Sequence, residues 1–326
     1  MKLKKLPIYA ITSALMTAPT VSLAWYWDNE EELELEEAYL YFELNDTDGD
    51  LGIHGKADGD AWKRMTIEGP DGDNERTLLR INTRSGIRRQ GLTELFFESA
   101  EPTFDELDPE VFFARFPQGV YEWEGLTIEY EEIEGEVFLS QIIPAAPVVT
   151  GVGEETENPG FEIELDDEGE EEVVKACWEV EADDSGNVVI SWDAVEMSHY
   201  DMWNVTPQPL LPGEDLRYGG EDQPERKIPL GVSGDLGDVV YYEFVAEIDD
   251  TEYKSTAVVP PGTTSWTVPA EIITLAEEEG EGEVKFEIIV RVESGDGYDD
   301  DGELVESRPG NQSAVEDCFE IAEEEE

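Results

Sequence analysis

The 326 residues carry 82 Asp and Glu against 20 Lys and Arg, a formal charge of −62. Such a surface repels nucleic acid and anionic lipid, which excludes both as global partners. Its self-repulsion strains the compact state until salt screens it, so a salty working medium is expected; the acid also keeps the chain in solution. Hydrophobic residues make up 39% and tryptophan occurs eight times, too much apolar matter for a disordered chain and enough for two ordinary cores.

Residues 1–24 read as a secretory signal peptide. Lys2, Lys4 and Lys5 precede an apolar run, and Ser22 and Ala24 supply the small residues of a cleavage site before Trp25. The run is too short to span a bilayer, and no later stretch reaches the roughly 20 apolar residues that spanning needs. An exported, periplasmic or extracellular protein without a transmembrane segment is expected. In an oxidising compartment the only two cysteines, Cys177 and Cys318, are expected to form a disulfide, with buried free thiols as the alternative.

After an acidic lead-in, 25–37, the N-terminal domain is expected over 38–143. Leu40, Phe42 and Leu44 alternate with Tyr39, Tyr41 and Glu43, which predicts a strand. Asp46, Asp48 and Asp50 follow at positions 1, 3 and 5 of a calcium-type loop. Leu51 stands where that loop needs its glycine and Ala57 where it needs the bidentate glutamate, so an EF-hand is rejected. A looser calcium site and a plain Asp/Gly turn remain the two readings.

One basic stretch interrupts the acid. Arg76, Arg80, Arg84, Arg88 and Arg89 occur between residues 76 and 93 with no Asp or Glu among them. A strand at 78–83, a turn at Ser85-Gly86 and a returning strand at 87–92 would form a hairpin displaying guanidinium groups, suited to planar carboxylate, sulfate or phosphate partners. The alternative is that these arginines pair with the protein's own carboxylates. Beyond them, Asp108-Pro109 predicts one short helix over 109–116 with Phe112, Phe113 and Phe116 in the core. The last strands of this domain are expected around 121–123 and 136–143, and residues 144–147 form a proline-stiffened linker.

Past the linker, alternation at 188–192 with Trp192 as the bulkiest inward anchor predicts the central strand of a second β-sandwich, 148–321, with an acidic tail at 322–326. Alternating Phe161, Ile163 and Leu165 suggest an extra hairpin strand, and 173–180 a further one. The ordered series Pro147-Val-Val, 188–192, 241–248, Thr263 to Pro269, Phe286-x-Ile288-x-Val290 and Gly310-Asn311-Gln312-Ser313 resembles a fibronectin type III domain. Phe286 stands where that family usually carries a tyrosine, and acidic insertions at 154–172 and 196–237 lengthen the domain by roughly 70 residues over a sandwich of about 100. The resemblance implies a two-sheet spacer or binding module and carries over no catalytic residues.

The expected fold is thus mainly β, two β-sandwich domains, the first with one short helix and the second fibronectin type III-like. Trp203 and Tyr218, in the insertion at 196–237, are candidates for contact with a glycan, or else a satellite core under the loop. His54 and His199 stand in no metal-ligand spacing, and no nucleophile elbow, phosphate loop or zinc pattern occurs. No cofactor is expected beyond the calcium alternative. The function expected is a non-catalytic, exported, salt-adapted binding or structural module, its interaction being with a protein or glycan; the other reading is a carbohydrate-active hydrolase working through paired Asp and Glu.

Overall fold

Alternation becomes strand wherever one face can be buried. The computed structural model describes residues 33–70, 76–165, 171–205, 230–248, 251–279, 282–295, 297–298, 302–305 and 310–322; the signal-peptide expectation at 1–24, the tail at 323–326 and Tyr218 lie outside them. The N-terminal half runs β1 (Leu33–Glu34), β2 (Glu37–Asn45), β3 (Asp50–Glu68), β4 (Thr77–Asn82), α1 (Ser85–Gln90), β5 (Leu92–Glu98), α2 (Pro109–Arg115), β6 (Gly119–Thr127) and β7 (Glu132–Leu139). Next come β8 (Val149–Val152), β9 (Phe161–Leu165), β10 (Glu171–Lys175), β11 (Trp178–Val180), β12 (Val188–Trp192), α3 (His199–Val205) and β13 (Val239–Ile248). The chain ends with β14 (Lys254–Val259), β15 (Ser265–Val268), α4 (Ala270–Glu279), β16 (Glu283–Val292), β17 (Gly297–Tyr298), β18 (Leu304–Val305) and β19 (Gln312–Ile321).

The protein is mainly β, as the alternation implies. The long strand β3 serves four partners. Its first part pairs with β2 and β5; after an irregularity between Asp58 and Trp62, its second part pairs with β4 and β6. Behind this sheet Leu40, Phe42, Trp62, Ile67, Tyr121 and Trp123 form one apolar core with Phe112 of α2. Helix α2 begins where Asp108 and Pro109 say it should, with Asp108 Oδ1 accepting from the Glu110 N–H at 2.7 Å. The first half nonetheless carries two helices rather than one, because 85–90 is helical.

In the second half a three-stranded sheet, β15-β12-β8, covers one face of the four strands β19-β16-β13-β14. Trp192 of β12 meets Tyr242 and Phe244 of β13 at ring-centroid distances of 5.7 and 6.5 Å, and Ile190, Phe286, Ile288 and Phe319 fill the same core. Burial of each such side chain stabilises by roughly 1.5–3 kcal/mol. Three strands facing four is a β-sandwich of the immunoglobulin and fibronectin kind. The acidic stretch after β8 does form a hairpin, β9 with β10, whereas 173–180 divides between β10 and β11. Cys177 and Cys318 are bonded, Cα to Cα 4.8 Å, beside the parallel pair β11 and β19.

The two halves share one sheet, ordered β1-β7-β6-β3-β2-β19-β16-β13-β14. The join is a parallel pair: Gln312, Ser313 and Ala314 of β19 stand opposite Glu43, Leu44 and Asn45 of β2. Farther along β19, Thr47 replaces the missing strand: its hydroxyl accepts from the Glu316 N–H at 2.8 Å and donates to the Glu316 carbonyl at 3.1 Å. Asn311 completes the seam. Its Oδ1 accepts from the Phe42 N–H at 2.8 Å, and its Nδ2 donates to the carbonyls of Ser140 and Ile142, both at 2.9 Å. The expected linker residues 144–147 lie at the change from one core to the other, with Ile143 in the first and Ala145 in the second.

Candidate functional site

Side chains alternate across a strand, so the continuous sheet has a second face that the sandwich core does not use. On β16, Phe286, Ile288 and Val290 point into the core, which leaves Lys285, Glu287, Ile289 and Arg291 on the other side. Register extends that side across the seam: Tyr241, Arg291, Gln312 and Glu43 stand opposite one another on β13, β16, β19 and β2, and Tyr41 of β2 stands opposite His54 of β3.

A stacked row results. The Arg291 guanidinium lies 3.6 Å from the centroid of the Tyr41 ring, with Nε donating to the Gly310 carbonyl at 3.2 Å and Nη1 to the Tyr241 hydroxyl at 3.3 Å. Tyr41 in turn stacks on His54, centroids 5.1 Å apart and planes inclined by 16°. His54 Nε2 is 3.0 Å from Glu43 Oε2 and 3.1 Å from Glu101 Oε1. Arg291, Tyr41 and His54 are all buried, at 6%, 6% and 5% exposure.

Carboxylates crowd this face. Burial pushes Asp50 up to about 7, and Glu101, Asp48, Glu316 and Glu43 add to it. Glu287 rises to about 8 by burial first and then through Glu316, Glu43, Glu243 and Glu247. Burial raises Glu43 as well, against the pull of His54. Beside them a recess of about 360 Å³ is lined by Thr47, Val245, Glu247, Lys285, Glu287 and Glu316, among others.

The calcium-type loop turns its three aspartates apart. Asp46 Oδ1 lies 3.5 Å from His199 Nε2, Asp48 Oδ2 accepts from Asn45 Nδ2 at 3.3 Å, and Asp50 joins the carboxylates of the open face. Among the described residues the three do not form a set of converging ligand atoms; Glu43, His54 and Glu101 do.

The arginine segment is not a hairpin. Strands β4 and β5 follow one another along the same edge of β3, β4 against 64–68 and β5 against 54–62, rather than pairing with each other, so the chain between them runs on without turning back. Residues 85–90 bridge the two stretches as α1, entered at Ser85 with φ 55° and left at Gly91 with φ 82°, where an added Cβ would lie 2.7 Å from that of Ala61. Arg80 sits on β4, Arg84 is the N-cap of α1, and Arg88 and Arg89 occupy its last turn, where positive charge suits the exposed carbonyls. All five arginines are exposed. Among the described residues the one ion pair they make is Arg80 to Glu68 at 3.9 Å, and Arg76 Nη1 reaches only the Arg115 carbonyl at 3.5 Å.

Trp203 lies in α3, its side chain outside those described, so its contact with a glycan, like that of Tyr218, stays an expectation. Helix α3 is started by Ser198, whose Oγ accepts from the Asp201 N–H at 3.1 Å. Neither His54 nor Glu101 stood out by spacing. The hairpin β2–β3 hints at Glu43 beside His54, but Glu101 arrives from a segment whose place follows from Ser99 and Phe104 bonding to Ile53 and Gly49.

Fold and face together define a β-sandwich protein with an open, polar sheet face. No protein-family model matches the chain, and no curated protein matches it. Among solved structures it is similar to the FN1-FN3 domains of chicken CNTN1, at 9% identity over 89% of this chain, with a TM-score of 0.26. The chain spans 65% of the length of that structure. An overlap this weak has no bearing on function, and the sandwich assignment rests on strand order and register.

Proposed function

We propose that this is a non-catalytic binding module, exported and adapted to a salty medium, that holds an acidic glycan against its arginine segment. The observation that carries the reading is the state of Arg84, Arg88 and Arg89: exposed, and without an ion pair among the described residues, in a chain with 82 Asp and Glu. A protein so rich in carboxylate has every opportunity to neutralise its own guanidinium groups. Leaving them outward keeps planar, forked donors for a sulfate or carboxylate partner. The N-terminal pattern at 1–24 and the disulfide support export, and the formal charge of −62 supports salt adaptation.

Retention of the protein and of its Arg84→Ser, Arg88→Ser, Arg89→Ser triple variant on a sulfated-polysaccharide column, eluted with NaCl, tests the assignment. The variant should elute earlier; equal elution of the two refutes it. The hydrolase reading has one observation of its own. Glu287 stands directly opposite Glu316 and is raised to about 8, and glycosidases work through two carboxyls of which one stays protonated. Turnover in a glycosidase screen that disappears in Glu287→Gln would favour it over the binding module.

A further inference from the structure

Glu43, His54 and Glu101 come from three separate segments, and the fold takes some trouble to bring them together. Glu43 is placed on β2 and His54 on β3 by hairpin register. Glu101 belongs to the strap at 99–104, which is laid along the start of β3 by reciprocal bonds: the Ile53 N–H to Ser99 Oγ and the Ser99 N–H to the Ile53 carbonyl, both 3.0 Å, with the Phe104 N–H to the Gly49 carbonyl at 2.9 Å. Its carboxylate then rests on Gly52. A Cβ at that position would run into the Glu101 carboxylate, so this mid-strand glycine provides the space it occupies.

One proton on His54 Nε2 does not fully satisfy two carboxylates, since it is at best shared between them. Nε2 has Glu43 Oε2 at 3.0 Å and Glu101 Oε1 at 3.1 Å. Ligand atoms about 2.0–2.1 Å from one metal ion stand roughly 2.8–3.4 Å from each other, from octahedral to tetrahedral geometry, and the two nitrogen–oxygen separations of 3.0 and 3.1 Å fall in that range. The three donor atoms all lie within 4.8 Å of one another. Ring orientation is fixed by the stack on Tyr41. Glu43 and Glu101 keep 18% and 31% of their side chains exposed, leaving a side from which water can complete the coordination.

We propose that Glu43 Oε2, His54 Nε2 and Glu101 Oε1 bind one divalent transition-metal ion. Imidazole with two carboxylates suits zinc, cobalt or manganese better than calcium, which takes oxygen alone. The ion ties β2, β3 and the strap at 99–104 together on the open face, and its charge offsets the carboxylates gathered around Asp50.

Titrating metal-free, full-length protein with Co(II) in about 1 M NaCl, where scattered surface carboxylates are screened, tests this directly. Visible absorption reports nitrogen and oxygen coordination, and calorimetry reports stoichiometry. One equivalent should bind with a new d–d band, and Glu101→Gln should weaken binding by at least about a hundredfold, since even outer-shell changes cost 10–100-fold. His54→Gln should abolish the band, while the exposed control Glu129→Gln should leave it unchanged. Glu101 lies on a surface strap, so its variant carries the test if the buried His54 variant fails to fold. Absence of band and heat, or binding of unaltered strength in Glu101→Gln, overturns the proposal.

Discussion

Replacing Asn311 with alanine probes the seam between the two halves where it is most concentrated. The side chain is 1% exposed and makes three bonds to backbone, one accepted from Phe42 and two donated to Ser140 and Ile142. Each bond contributes about 1 kcal/mol net, and each buried group left unpaired costs about 1–3 kcal/mol. Water entering the small space would recover part of this, so a loss of about 3–5 kcal/mol is expected. Urea denaturation in constant high NaCl, followed by tryptophan fluorescence and far-UV circular dichroism together, measures it. Asn311→Asp keeps the acceptor for Phe42 but places a carboxylate against two carbonyls, and should lose at least as much. A loss under about 1 kcal/mol for Asn311→Ala would refute the reasoning, because it would mean that these three bonds are not what closes the sheet.

Melting temperature should climb as NaCl rises from low concentration to roughly 2 M, since the net charge of −62 is screened; a flat midpoint would contradict salt adaptation. Unfolded, unreduced protein should show no reactive thiol, and Cys177→Ser should lower stability by about 2–5 kcal/mol, measured by the same urea titration. The folded state holds the proton of Glu287 up to about pH 8, against a reference of 4.5, so its share of stability is full below the reference value and is lost as pH rises through about 8. Wild-type stability should therefore fall between pH 5 and pH 9 relative to Glu287→Gln by about 1–2 kcal/mol, after allowing for partial exposure among Glu316, Glu43, Glu243, Glu247 and the nearby Lys285. Parallel pH slopes for the two proteins would contradict that assignment.

Much of the strand content was legible because alternation reports burial on one face. β2, β12, β13, β16 and β19 fall where Leu40-x-Phe42, Val188-x-Ile190, the segment 241–248, Phe286-x-Ile288 and Gly310-Asn311-Gln312-Ser313 put them. Helix α2 was legible from Asp108-Pro109, and the disulfide from there being one pairing to make. The excursion α1 was not. Whether Ser85-Gly86 turns a hairpin or starts a helix depends on β3 being long enough to hold β4 and β5 at different places, which is a tertiary fact. The join of β2 to β19 was hidden for the same reason, since parallel pairing between residues 43 and 312 leaves no local mark. So was the cluster around His54, because register supplies Glu43 but only the strap at 99–104 supplies Glu101.

Hydrogen exchange followed by mass spectrometry in high salt reads the continuity of the sheet most directly. Peptides covering β2 and the first residues of β19 should be protected to the same free energy as those covering β13 and β16, because one ladder runs through all four. Exchange of β2 and the Gln312–Ala314 amides well ahead of β16 would show that the halves part before either unfolds, and the shared face that carries Arg291, Tyr41 and His54 would not be a single surface.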